Sequence, residues 1–501
     1  VESSGSYPLQ LNRTQPAQPY FYFFDASQYQ LSPGDKVEYY FEVFDNDGVN
    51  GPKSSRTQMM VFKAPDRSEI SQATEKNNAE IKKDLEETIK KTRQLQKDIN
   101  ELSKKIQDKK QLGYEEKKKL EELLKKQNDL QNRINDIKQQ NELNNKQKNE
   151  FSQTDESILE KQKQLEQLFE NVMTPEMKKL FDELQKMMDQ LDKNQVQEKL
   201  EELQLNNKDI EKELDRNLEA FKQLEVEQKM QEALERLEEL KNKQEQLARE
   251  TEGKKPEEQK TKNDPASKEN KEQPVDKGNK EENKQKEDGK NQPDQNTDKK
   301  QDKKADAKSL EKKQDELNKA FEELKKDLKE LEKKNQALEE PNQLPETGDK
   351  SEQISKEMEN SSEQLNHNNK KDAAKSQKSA AEKMQEMQEQ MEQAMAEEEE
   401  KQNEENAQAL RQILENLLNL SFAQEALMKE LSKTRADNPK YVEIPKQQNK
   451  LKDDSRIIED SLLALSKRAP QISALVNREI SAMNMNMDKT GRFLAERNSG
   501  E

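Results

Sequence analysis

The chain has a single histidine and no cysteine. The residue types that most often serve as general base, nucleophile or zinc ligand are therefore almost missing. His367 stands in Asn366-His367-Asn368-Asn369, with no acidic partner at relay or ligand spacing, and reads as a solvated loop residue. Carboxylates are plentiful, but with 106 Asp and Glu residues no particular pair stands out as acid and base. Asp45-Asn46-Asp47-Gly48-Val49-Asn50-Gly51 brings several oxygens into one short loop, as calcium prefers, but lacks the spacing and closing Glu of an EF-hand. A turn built from Asp, Asn and Gly accounts for the same residues. Leu344-Pro345-Glu346-Thr347-Gly348 matches the pentapeptide that sortases cleave. It is followed by Asp349-Lys350-Ser351 and a polar stretch, where that signal needs an apolar segment and a basic tail, so it reads as a Pro-Gly linker. The phosphate-cradling pattern Gly-x-x-x-x-Gly-Lys-Ser/Thr occurs nowhere, which argues against the coiled-coil ATPases. The expectation is a chain that is not an enzyme, with no catalytic, metal or cofactor site.

The residues left to carry function are those that bring helices together. Only 28% of the 501 residues are hydrophobic and 39% are charged. A compact body of that length needs more apolar surface to offset the entropy of ordering its chain, so the composition points to long, thin helical assemblies and unfolded segments. The net charge of -17 argues against nucleic acid, whose phosphates call for clustered Lys and Arg. The basic run 117–119 lies beside Glu115 and Glu116 and reads as a solvated helix face. No apolar run has the length to span a bilayer, and no secretory signal is present. Turn-and-strand sequence at Val1 and a helical pattern at Phe493-Leu494-Ala495-Glu496-Arg497 read as cut ends, so that a membrane anchor would lie outside this piece.

The predicted fold class is mainly α: long helical hairpins and coiled coils, with a partial β-sandwich at the N-terminus and disordered linkers. Residues 1–66 hold the β signals. The run 20–24 is apolar, Val37, Tyr39, Phe41 and Val43 alternate with polar or exposed positions, and 58–63 makes a third run. From about 68 the period changes. Leu85, Thr88, Thr92, Leu95, Ile99, Leu102 and Ile106 advance by threes and fours, as do Leu120, Leu123, Gln127, Leu130, Ile134 and Ile137. The break around Gly113 makes 68–145 an antiparallel hairpin with arms about 40 Å long. Helical hairpins are expected over 155–250, with Thr174-Pro175 as a helix start. Residues 251–308 read as a disordered charged linker, with Val275 its only large aliphatic residue. Leu310, Gln314, Leu317, Phe321, Leu324, Leu328 and Leu331 mark a coiled-coil helix over 309–340. A polar linker over 341–372 and a C-terminal helical bundle over 373–501 complete the order. Leu85, Leu95, Ile99, Leu102, Leu317, Phe321, Leu324 and Leu328 are the seam residues expected to mediate association. The methionine row Met384, Met387 and Met391 is a candidate adaptable partner surface, a loosely packed helix seam being its plainer reading. Leu410, Ile413, Leu414, Leu417, Leu418, Phe422, Leu427 and Leu431 are denser and wider than a two-stranded seam requires.

Two stretches carry a family likeness: Tyr39-Tyr40-Phe41-Glu42-Val43-Phe44-Asp45-Asn46-Asp47-Gly48, closing with Gly51-Pro52-Lys53-Ser54, and Leu465-Ser466-Lys467-Arg468-Ala469-Pro470-Gln471-Ile472, running on through Glu479-Ile480 to Glu496-Arg497. In these motifs and in its layout the chain resembles a family of long Bacteroidota envelope proteins that carry a domain of unknown function. That resemblance implies N-terminal membrane helices outside this chain, an immunoglobulin-like region at 1–66, and periplasmic exposure of the charged helices. It brings no active site. The expected function is a non-catalytic structural scaffold of the cell envelope. The alternative is a binding or adaptor module whose C-terminal bundle recognises a partner protein. A scaffold should fail on Leu95→Asp or Leu317→Asp, and a binding module on changes to the exposed face of the bundle.

Overall fold

The computed structural model describes residues 4–9, 31, 34–45, 47–49, 51–107, 109, 113–151, 154–187, 193–253, 298–435, 437–472 and 474–497. It is mainly α. The described chain divides into two compact units, residues 1–83 with 137–154, and residues 84–136 with 155–501.

Among the described residues of the first unit are four short strands: β1 (Lys36–Tyr39), β2 (Glu42–Phe44), β3 (Ser54–Arg56) and β4 (Met60–Lys63). β1 pairs antiparallel with β4, Lys36 opposite Lys63 and Tyr39 opposite Met60, and β2 pairs with β3, Glu42 opposite Arg56. Between the two ladders the second arm carries one more residue than the first, a bulge that lets a single ribbon bend. Thr57 holds the bend. Its amide donates to the Phe41 carbonyl at 2.9 Å and its hydroxyl accepts from the Phe41 amide at 3.0 Å. At the tip, Asp45 Oδ1 accepts from the Lys53 amide at 2.8 Å and the Asp47 amide at 3.3 Å, and Asp47 Oδ1 accepts from Val49 at 3.0 Å. Gly51 sits at φ +86. Those carboxylates cap backbone, as a turn requires; Asn46 and Asn50 of the same loop lie outside the described residues, as does the run 20–24.

Helix α1 (Arg67–Gln107) opens on a reciprocal capping box: the Glu69 amide donates to Asp66 Oδ1 at 2.9 Å, and the Asp66 amide to Glu69 Oε2 at 2.8 Å. Helix α2 (Tyr114–Phe151) returns antiparallel. In the first unit Asn77 and Asn78 meet Asn144, and in the second unit Asp98 pairs with Lys126 at 2.7 Å. Leu85, Leu95, Ile99 and Leu102 are buried, and the seam threonines Thr88 and Thr92 bond back to the carbonyls of Asp84 and Thr88. A hydroxyl satisfied inside its own helix can occupy a seam without an unpaired donor.

The second unit is organised on α5 (Lys193–Thr251), a continuous helix of 59 residues buried on several sides. Helices α3 (Glu156–Val172) and α4 (Pro175–Met187) pack on it, α3 reaching Glu227 through Lys161, and Thr174-Pro175 starts α4 as the sequence indicates. The second half of α5 shares one core with α6 (Asp298–Gln336), α7 (Gly348–Asn366) and the first half of α8 (Lys370–Lys433). A short 3-10 turn (Pro439–Val442), α9 (Glu443–Arg468) and α10 (Ala474–Ala495) close the chain against the second half of α8. Among the described residues no helix is long and apolar enough to cross a membrane.

Three sequence boundaries need correction. First, of the stretch 251–308 read as disordered, Thr251 still belongs to α5 and the last eleven residues, 298–308, to α6; 254–297 lie outside the described residues. Second, the expected polar linker 341–372 contains α7. Ser351, Ile354, Met358, Ser361 and Leu365 advance by threes and fours and are buried, but two of the five are serine, which hides the row from an apolar count. Third, 373–501 is not one bundle. Helix α8 gives Ala373, Ala380 and the methionines to the core with α5, α6 and α7, and gives Ile413 and Leu420 to a separate core with α9 and α10.

Candidate protein-docking site

Any docking face must be an apolar surface that the chain leaves uncovered. The methionine row does not qualify. Met384, Met387 and Met391 are at most 1% exposed and lie in the core shared by α5, α6, α7 and α8. The partner-surface expectation is therefore corrected: three neighbouring helices cover that face. Leu317, Phe321, Leu324 and Leu328 are buried in the same core, and none is open to a second protein.

One polar layer crosses that core. The Gln314 side-chain oxygen accepts from Gln244 at 2.8 Å, Gln377 at 3.0 Å and Ser361 at 3.1 Å, and its amide nitrogen donates to the Gln244 oxygen at 3.1 Å. Each helix supplies one member, and all four side chains are fully buried. Such a layer fixes which residues stand level across four helices, because any slip strands its donors.

The second half of α8 supplies the face the core does not use. Its wide apolar stretch splits into two rows. Ile413, Leu420 and Leu427 point inward, the first two against Ile458, Leu462, Leu465 and Ile480, the third against Tyr441, Ile444 and Leu494. Leu410, Leu414, Leu418 and Phe422, each four residues on, form a ridge that points out: Leu414 is 53%, Leu418 59% and Phe422 67% exposed. Three such steps run about 18 Å along the helix. Rows at this spacing are those that interdigitate in the commonest class of helix–helix packing. The same stretch of α8 carries Glu404, Glu405, Glu415 and Glu425, all exposed, against Arg411 and Lys429.

The inner row is held by a corner that the sequence did not reveal. Arg216 of α5 is fully buried. Its Nε donates to the Ser466 carbonyl at 2.8 Å and one terminal nitrogen to the Pro470 carbonyl at 2.9 Å and the Ile472 carbonyl; the other terminal nitrogen meets Glu213 Oε2 at 3.4 Å. These carbonyls belong to the last turn of α9 and the connection from it into α10. Burial lowers the Arg216 pKa and Glu213 partly offsets it. Nearby, burial pushes the Glu459 carboxyl up, but Lys212 and Lys208 outweigh it and leave it below the usual carboxylate range. A signal existed: Asp209, Lys212 and Arg216 advance by three and four, as a core row does. Charged residues at that spacing are also what a solvated face shows.

His367 is exposed at the end of α7, where Asn368 at φ +59 reverses the chain. Leu344 of the sortase-like pentapeptide packs against the four-helix core, and Thr347 stands at the N-cap position of α7. Among the described residues no three His, Asp or Glu side chains converge as metal ligands.

Neither a family model, nor a curated protein, nor a solved structure matches this chain. The α8 ridge therefore has to be read on its own physical chemistry.

Proposed function

We propose that this chain is a non-catalytic helical scaffold of the bacterial cell envelope that works through helix–helix association, with the outward ridge of α8 as its docking face. The observation that carries the reading is the second apolar row on α8, uncovered while the methionine and leucine seams are buried within the chain. A contiguous exposed apolar row on a chain otherwise so polar needs an explanation, and partner binding supplies one. The occupant is a helix of another protein, with an apolar four-residue ridge and Lys or Arg on its flanks. The acidic side chains beside the ridge favour that chemistry, and a net charge of -17 disfavours a second copy of the same chain. The envelope setting, the immunoglobulin-like reading of the first unit, the coiled-coil character of the α6 seam and membrane attachment by segments outside this chain rest on the motif and pattern arguments given with the sequence.

Changing Leu414, Leu418 and Phe422 together to serine should leave stability nearly unchanged, within about 0.5 kcal/mol for each exposed site, while abolishing partner capture. A photo-reactive residue at Ser421 should cross-link to an amphipathic helix with basic flanks. Retention of the partners by the triple variant, or a self-dimer seen in ultracentrifugation, would overturn the docking assignment. Protease treatment of spheroplasts tests the setting: the C-terminal helices should be digested from outside in the native cell, and their protection would refute an envelope location.

A further inference from the structure

Beside the apolar core that α10 shares with α9, a polar cluster joins α10 to α5 and α9. From α5 come Lys208, Asp209, Lys212 and Glu213; from α9, Glu459; from α10, Asn477, Ser481 and Asn484. Lys212 Nζ bonds Glu459 Oε1, and Ser481 Oγ at 2.8 Å; Asn484 bonds Glu459 Oε2; Asn477 bonds Ser466 Oγ at 3.2 Å and Glu213 Oε1 at 3.4 Å. Asp209 differs. It is 6% exposed, and neither carboxylate oxygen has a hydrogen-bond partner in good geometry. It borders a shallow, near-closed crevice that Asn171 of α3, Met177 of α4, and Asn477 and Arg478 of α10 also line. A buried carboxylate with only the poorly aligned Ser481 hydroxyl beside it is costly as an anion and much less so as a neutral acid, which also gains a donor.

We propose that this node is a proton-operated joint: proton uptake by Asp209 tightens the docking of α10 on α5 and α9, and proton release loosens it. The proposal goes beyond the scaffold reading and stands or falls separately from it. The charged groups facing Asp209 are Lys208, Lys212 and Glu213 on its own helix, Glu459 on α9 and Arg478 on α10, with Glu176 of α4 beside Arg478. Burial is the largest influence on Asp209; the Ser481 hydroxyl, Lys212, Arg478 and Lys208 pull the other way, and the carboxyl is left at about 6. A carboxyl raised in the docked state favours docking while it stays protonated. That contribution is full below the ordinary carboxylate range, declines as pH rises through about 6, and is gone above it. Glu459, held low, acts in the opposite sense, and only under more acidic conditions.

The test is amide hydrogen exchange of α10 in the full chain at pH 5 and pH 7, each corrected for intrinsic exchange. Protection of α10 should be about tenfold greater at pH 5, the change in proton-free population across a titration centred near 6. Asp209→Asn, neutral and of the same shape, should hold α10 at the acid level at both pH values. Equal wild-type protection at the two pH values, which needs no variant to observe, would overturn the proposal. So would an unchanged pH dependence in Asp209→Asn.

Discussion

Replacing Arg216 with methionine should destabilise the second unit by about 3–5 kcal/mol, the usual cost of removing one partner from a buried charged network. Methionine fills much of the arginine volume, so little of the loss would come from a cavity. It would come from the buried Ser466 carbonyl and the half-buried Pro470 and Ile472 carbonyls, left without their donor, and from Glu213, left without its cation. Denaturant unfolding of the full chain measures the total, and hydrogen exchange locates it: residues 469–474 and the start of α10 should lose protection first. Arg216→Lys should recover only a minor part, since an ammonium on a flexible stem cannot span the same carbonyls as a planar fork. A loss below about 1 kcal/mol, the scale of one ordinary hydrogen bond, would mean that the corner is held by its apolar contacts alone.

Gln314→Ala should cost about 2–5 kcal/mol, because each of several buried groups left unpaired contributes on the order of 1–3. Gln244, Ser361 and Gln377 would all lose their acceptor together. The informative control removes the layer instead of breaking it. Gln244→Leu, Gln314→Leu and Gln377→Leu combined should restore thermal stability close to wild type, as apolar replacement of a buried polar set often does, with the Ser361 hydroxyl the one member left to find another acceptor. The same triple variant should exchange α7 amides faster at equal global stability, because nothing then penalises a slip of α7 against its neighbours. A triple variant as unstable as Gln314→Ala would show that the layer contributes through shape and not through register.

Where the apolar rows are clean, the elements were legible from spacing alone. Leu317, Phe321, Leu324 and Leu328 mark α6, Leu85 through Ile106 mark α1, and Thr174-Pro175 marks the start of α4. Reading failed where a buried row is built from polar residues. Ser351 and Ser361 in α7, and Asp209, Lys212 and Arg216 in α5, keep core spacing but carry the chemistry of surface. Only partners distant in sequence turn such residues into interior. Asp66 and Glu69 make the opposite case: their capping box is local, three residues apart, and needs no tertiary partner.

The candidate site divides the same way. Composition, the lone His367 and the absence of cysteine directed attention to helix faces, and the density of the row from Leu410 to Leu431 showed that α8 has more apolar surface than one seam consumes. Hydrophobic spacing is a property of one helix and is carried by the chain itself. Which rows are covered is a property of several helices at once, and it was decided only by the folded arrangement. Three helices close over Met384, Met387 and Met391, while α9 and α10 take Ile413 and Leu420 and leave Leu414, Leu418 and Phe422 to solvent. Periodicity identifies a face that needs a partner; burial alone tells whether the chain has already supplied it.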